Sequence, residues 1–160
     1  MTYYPAANSG RVDSLSDGER YQEFVADHVR REFGIALTMY DCQSCQYRHG
    51  ENPQGFEIKL DKRCTETGRL SIEVAEKTNG DLPDWTTSGI YRDDNSWMYV
   101  QGNYDVIWGF AKKILKELDD KLGNTYEESP MSKPTVRKFY ITEKTADRWC
   151  AWKITPYAGT

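Results

Sequence analysis

The sequence is poor in the features that would place it at once. No apolar run approaches the roughly 20 residues of a membrane-spanning helix, so no such span is expected. The opening segment, "MTYYPAANSG", lacks the basic start and apolar stretch of a signal peptide, and a cytoplasmic location is the expectation. Positive charge is not in excess: 21 Lys and Arg face 25 Asp and Glu, a net charge of −4. Bulk attraction to nucleic acid is thereby excluded, and binding would need a local basic patch. Cysteine is sparse, at four residues. "CQSC" sets Cys42 and Cys45 at zinc-ligand spacing, with His49 following, but a second tight pair is missing because Cys64 and Cys150 are isolated. Reduced, partly buried thiols are expected, and a structural zinc at Cys42 and Cys45 is not. There is no internal repeat and no clear domain boundary.

The 160 residues suffice for one domain with a true core. A charged fraction of 29% against 38% hydrophobic fits a folded chain rather than a disordered one. "SLSDGERYQEFVADHVRREFG" carries the clearest helix signal. Ser16 and Glu19 match a capping box. Tyr21, Phe24, Val25, His28, Val29 and Phe33 share one face, and Gly34 is placed to end the helix. The helix is expected over Asp17 to Phe33. "IALTMYDC" suits a strand, and "QSCQYRHGENPQG" reads as a loop. "SWMYVQGN" suits another strand. "YDVIWGFAKKILKELDDKLG" reads as a second helix with Val106, Ile107, Phe110, Ile114, Leu115 and Leu118 inward and Gly123 closing it. "NTYEESPMSKPT" reads as a connection. "RKFYITEK" and "CAWKITP" are two late strands around a helical turn, "TADRW". The expected class is α/β (α+β), a central mixed sheet flanked by helices.

"GFEIKLDKRCTETGRLSIEVAEKT", Gly55 to Thr78, reads as an antiparallel hairpin turning at "TETG", with Gly68 free to take a positive φ. Phe56, Ile58, Leu60, Leu70, Ile72 and Val74 fall on one face. Glu57, Lys59, Asp61, Ser71, Glu73, Ala75 and Lys77 fall on the other. This register opposes Asp61 to Glu73, Lys59 to Ala75, and Glu57 to Lys77. Opposed carboxylates repel, and a hard divalent cation between them would relieve the repulsion. A nearby lysine then completes the equipment for metal-assisted phosphodiester hydrolysis. The alternative is a solvated face with cross-strand ion pairs.

These residues resemble the core of the PD-(D/E)xK nuclease superfamily, and "QYRHGENPQGFEIKLD", "LSIEVAEKT" and "SGIYRDDNSWMYVQGNYDVI" are similar to small phage and prophage proteins with that core. The resemblance spans roughly Gln46 to Leu118. It implies a restriction-endonuclease-like αβββαβ core over about 14–120, with a C-terminal β extension at 136–156 of the single domain 1–160. It implies a DNA nuclease using Mg²⁺ or Mn²⁺, with DNA or RNA as partner, no membrane, and a homodimer as an option. Glu57, Asp61 and Glu73 would hold the metal. Lys59, Asp61, Glu73 and Lys77 would carry the chemistry, with Lys59 replacing the lysine that Glu73-Val74-Ala75 lacks. A competing frame takes Glu57-Ile58-Lys59 as the triplet and Asp41 as the earlier acid. Glu23 is the candidate acid of the first helix.

Gln46, Arg48, Glu51 and Asn52 form a weaker substrate- or ion-contacting set, and Tyr99 and Gln101 are expected to border the cleft. The acids of "YRDDNSW" do not match an EF-hand, and a turn is expected there. Lys112, Lys113, Lys116, Arg137 and Lys138 are candidates for a basic path. A catalytically inactive interaction module on the same fold, and a zinc-stabilised adaptor built on "CQSC", are the alternatives.

Overall fold

A computed structural model describes residues 16–40, 42–122, 125–126 and 135–157. The first helix, α1, spans Asp17–Phe33. Ser16 Oγ accepts the Glu19 N–H, and Gly34 ends the helix at φ 68°. The capping signals in the sequence set both ends. Residues 35–40 belong to no helix or strand, so the strand expected from "IALTMYDC" is not formed there. The expected loop after it holds a short helix, α2 (Gln43–His49). The chain continues through β1 (Phe56–Leu60), a helical turn α3 (Cys64–Thr67), β2 (Arg69–Lys77), β3 (Thr86–Thr87) and a 3-10 turn at Gly89–Tyr91. Then follow β4 (Met98–Gly102), β5 (Ile107–Ala111), α4 (Lys112–Leu122), β6 (Thr125–Tyr126), β7 (Thr135–Thr142), α5 (Glu143–Trp149) and β8 (Trp152–Ile154). Gly123, Asp41 and most of the connection expected over 124–135 lie outside the described residues.

This is a mixed α/β structure with two sheets. One has the order β1-β4-β5-β8, with β1 parallel to β4 and the other pairs antiparallel. The other has the order β3-β2-β7-β6 and is antiparallel. The expected hairpin is therefore not formed. β1 and β2 belong to different sheets, and α3 with Gly68 at φ 71° makes the link. The expected second helix is half strand: Ile107, Trp108 and Phe110 lie in β5, and helix begins only at Lys112. A strand buried on both faces is a continuous apolar run, which periodicity alone cannot separate from helix.

The alternation in "FEIKL" decides the layering. Phe56 and Ile58 join Met98, Val100, Ile107 and Ile154 under the apolar face of α1, supplied by Tyr21, Phe24, Val25 and Val29. On the second sheet Leu70, Ile72, Val74, Phe139 and Ile141 pack with Tyr99, Trp108 and Phe110 of the first. The intervening residues of β1, Glu57 and Lys59, thus face away from α1 toward the second sheet.

Gly89 makes one close approach possible. Its φ is 55°, and a Cβ there would collide with the Glu73 carbonyl. Gly89→Ala should lower stability by about 1–3 kcal/mol or more, from the positive φ alone, read as a lower urea midpoint. An unchanged midpoint would mean the turn does not pack on β2 in this way.

Candidate functional site

The site forms where the two sheets meet. β2 runs beside β7, and its pairing with β3 covers only Ala75 and Glu76. Earlier in β2 the free edge is met by side chains. The Ser71 N–H donates to Asp61 Oδ2 at 3.0 Å, and Gln101 Nε2 donates to Ser71 O at 2.8 Å and to Asp61 Oδ2 at 2.9 Å. A cleft of about 440 Å³ opens beside this junction. Lys59, Asp61, Tyr99 and Gln101 line it from the first sheet and the end of β1. Arg69, Ser71, Glu73, Lys138 and Tyr140 line it from the second, and Lys62 and Arg63 stand at its rim. A second cleft of about 500 Å³ lies toward α1 and includes Gln46 and Glu51. Lys59, Leu60 and Lys62 line both.

Lys59, Asp61 and Glu73 therefore share a cleft, as expected, although no strand register opposes them. Tyr99 and Gln101 border it, also as expected. Lys59 Nζ lies 3.5 Å from Glu57 Oε1. Burial pulls its pKa down, but Glu57, Glu51 and Glu73 outweigh this and hold it above the ordinary lysine value. Burial raises the Glu73 carboxyl, with Glu76 and Glu57 adding to the rise against the pull of Lys59. Burial also pushes the Tyr99 hydroxyl well above the usual tyrosine range, reinforced by Glu57, Glu73, Glu51 and Asp61.

Lys77 is a correction. The β2–β7 register shifts between Glu73 and Ala75, a bulge that changes which residues share a face. Val74 and Ala75 both enter the core, and Lys77 stands over the Trp85 ring at 4.8 Å. It lines neither cleft. The expected pairing of Lys59 with Ala75 is absent because β1 pairs with β4, setting Lys59 beside Gln101, and not with β2.

Glu57 is a second correction to the expected face. It is buried, and its partner is not Lys77 but Lys112, with Nζ 2.8 Å from Oε2. The sequence makes Lys112 a candidate for a basic path, which would need it at the surface. Instead its side chain is 6% exposed and contacts Glu57, Asp94 at 3.5 Å, Ser96 Oγ and the Gly89 carbonyl at 3.5 Å. The turn expected at "YRDDNSW" thereby supplies Asp94 and Ser96 to a buried charge network. Lys113 and Lys116 are exposed.

Within the weaker set the residues part company. Glu51 Oε2 accepts the Ile58 N–H at 2.6 Å, and Oε1 accepts from Gln22 Nε2 at 3.0 Å. Burial pushes its carboxyl up to about 7, against Lys59 and the Ile58 N–H, with Glu57 adding to the rise. Asn52 is buried and spent on backbone, exchanging bonds with Phe56 O at 2.7 Å and Phe56 N at 2.9 Å. Arg48 is exposed and lines neither cleft. From α1, Gln22 reaches Glu51, and Asp17, Gly18 and Glu19 line the same cleft, while Glu23 is exposed. Glu51 thus stands beside Glu57-Ile58-Lys59, where the competing frame looked to Asp41. The signal was legible: an acid shortly ahead of an acid-x-lysine triplet.

The resemblance implies a divalent cation. Among the described residues no three His, Cys, Asp or Glu converge as a ready-made metal-binding group. Mg²⁺ asks for less: one or two carboxylates, with water and substrate phosphate completing its octahedron. Asp61 and Glu73 line one cleft with Gln101, whose buried Oε1 has no hydrogen-bond partner among the described residues. All are hard oxygen donors, and they fit Mg²⁺ or Mn²⁺. Cys42 and Cys45 are bonded to each other as a disulfide, which corrects the expectation of reduced thiols. No described helix is long and apolar enough to cross a membrane. No family model, curated protein or solved structure matches the chain.

Two predictions follow from the charges. Lys112→Met removes the buried cation that Glu57 and Asp94 share, leaving only Lys59 at 3.5 Å and Arg92 at 3.9 Å, and should cost roughly 3–5 kcal/mol, measurable by urea unfolding. Glu51 keeps its proton to about pH 7 when folded but releases it near 4.5 when unfolded. The native state binds more protons in that window, so this group's contribution to stability falls as pH rises through it. In EDTA, Glu51→Gln should flatten that fall and gain roughly 1–3 kcal/mol at pH 8. Equal pH slopes in both proteins would remove Glu51 as the cause.

Proposed function

We propose that the protein is a metal-dependent phosphodiesterase acting on nucleic acid, DNA in the first instance, with its groups arranged in the PD-(D/E)xK manner. The observation that carries this reading is the setting of Lys59. Its ammonium lies 3.5 Å from Glu57 Oε1, and Lys59 lines one cleft with Glu51 and another with Asp61, Glu73, Lys62, Arg63, Arg69 and Lys138. Lys62, Arg63 and Arg69 are exposed, whereas Asp61, Glu73 and Lys138 are half-buried. A phosphate backbone is drawn to the exposed cations. Tyr140 adds a ring that Arg69 covers at 4.1 Å, so guanidinium and aromatic faces lie together there.

When bound, Mg²⁺ or Mn²⁺ supplies polarisation of the phosphoryl oxygen and a more acidic water. Asp61 and Glu73, which line the cleft with Lys59, would hold the ion, with Glu57 or Glu51 as the neighbouring carboxylate. Lys59 stays protonated and donates to the attacking water or to a phosphoryl oxygen as charge develops. Arg69 and Lys138 hold the flanking backbone. Lys77 takes no part.

A second reading has its own support. Glu57 already holds a cation in Lys112 at 2.8 Å, which fits a member of the fold that keeps the basic cleft for binding and has lost hydrolysis. One experiment separates the two: nicking of supercoiled plasmid by purified protein in Mn²⁺ and in EDTA. Lys59→Ala and Glu73→Gln should each reduce Mn²⁺-dependent nicking by about 10²–10⁴-fold, while Lys77→Ala should leave it unchanged. Cleavage that persists in purified Glu73→Gln would sink the assignment. Plasmid binding without any nicking would favour the binding module.

A further inference from the structure

We propose that Cys42 and Cys45 are a reversible dithiol–disulfide pair whose oxidation state governs the order of the segment holding Glu51. The two are bonded across two intervening residues, with Cα atoms 5.3 Å apart, while Cys64 and Cys150 remain free. So short a loop removes little entropy from the unfolded chain, and stabilisation is a poor explanation for the bond. Accessibility suits exchange instead. Cys42 is exposed and Cys45 half-buried. Cys42 Sγ accepts the Cys45 N–H at 3.1 Å and lies 3.2 Å from Ser44 Oγ, two donors for a thiolate at Cys42.

The coupling runs through short backbone links. The Gln46 N–H donates to Cys42 O at 3.1 Å, and Gln46 Nε2 donates to Tyr40 O at 3.0 Å. The Gly50 N–H donates to Gln46 O at 3.0 Å, and the Tyr40 N–H donates to Glu51 O at 3.0 Å. α2 thus closes a ring from the disulfide through Gln46 to Glu51, and both of these residues line the cleft toward α1 with Lys59. Opening the disulfide releases the first turn of α2 and loosens that ring.

The exchange partner is a dithiol. Its thiolate attacks Cys42 Sγ, the Cys42–Cys45 bond breaks, and Cys45 leaves as a thiolate that takes up a proton. The partner's second thiolate then attacks its own sulfur in the mixed disulfide and frees Cys42. The protein disulfide gains two electrons and the partner is oxidised to its disulfide. This holds whether or not the chain cuts nucleic acid, since neither measurement below needs a substrate or a metal.

The test places the whole chain in dithiothreitol buffers poised from oxidised to reduced. Alkylation with peptide mapping reads the thiols, and amide hydrogen exchange reads the ring. Cys42 and Cys45 should be protected in oxidised buffer, alkylated in reduced buffer, and protected again on reoxidation. Exchange at Tyr40 and Gly50 should quicken at least tenfold on reduction. The Cys42→Ser/Cys45→Ser variant should show the fast rates in every buffer, and a Cys64→Ser/Cys150→Ser variant should keep the response. Alkylation of Cys42 and Cys45 in oxidised buffer would overturn the pair. Equal exchange rates in the two states would overturn its control of the Glu51 segment.

Discussion

The backbone of Ser71 is the hinge of this architecture. Its N–H and carbonyl lie on the edge of β2 away from β7, and a buried edge must find partners. Asp61 Oδ2 and Gln101 Nε2 supply both. Two side chains of the first sheet thereby extend the ladder of the second. This junction joins the sheets without merging them, and the gap beside it is the cleft. Asp61 thus holds its own wall in place as well as presenting a carboxylate, and Gln101, almost fully buried, stiffens the same point.

The junction also determines where charge is trapped. With α1 covering one face of β1, the other face must look toward the second sheet. Glu57 is carried inward by that geometry and survives burial because opposite charge is at hand, while Lys59 stays half-buried at the clefts. Lys112 holds one oxygen of Glu57 and Lys59 lies near the other. Lys112 in turn binds the Gly89 turn and the Asp94–Ser96 segment, so one ammonium gathers β1, α4 and the connection before β4. The shifted pKa values of Glu51, Lys59 and Glu73 follow from partial burial and from this packing of like and unlike charges. Shifts of that kind are common at functional sites and also occur in structural networks.

Much of the site was legible as a set and little of it as a geometry. Phe56, Ile58, Leu70 and Ile72 sorted correctly from Glu57, Lys59, Ser71 and Glu73, because side chains alternate along any strand whatever its partner. Partner choice left no such mark. A turn former between two alternating runs suggests a hairpin, yet α3 gives the chain room to leave one sheet and enter another. The bulge after Glu73 was invisible for the same reason: it arises from the register with β7, far along the chain. The burial of Lys112 left no mark in the sequence, because "YDVIWGFAKKILKELDDKLG" reads as helix throughout. Starting the helix at Lys112 itself, after a buried strand, turns that residue inward.

The sequence by itself determined the elements governed by neighbours: α1 with its Ser16 cap and Gly34 stop, the faces of β1 and β2, and the left-handed turn at Gly68. These depend on local sterics and on hydrogen bonds a few residues long. Only the tertiary structure decided that β1 pairs with β4, that Glu51 stands beside Lys59, and that Lys77 rests on Trp85. Those outcomes depend on which buried edges and charges find partners across the chain, and residues distant in sequence supply them.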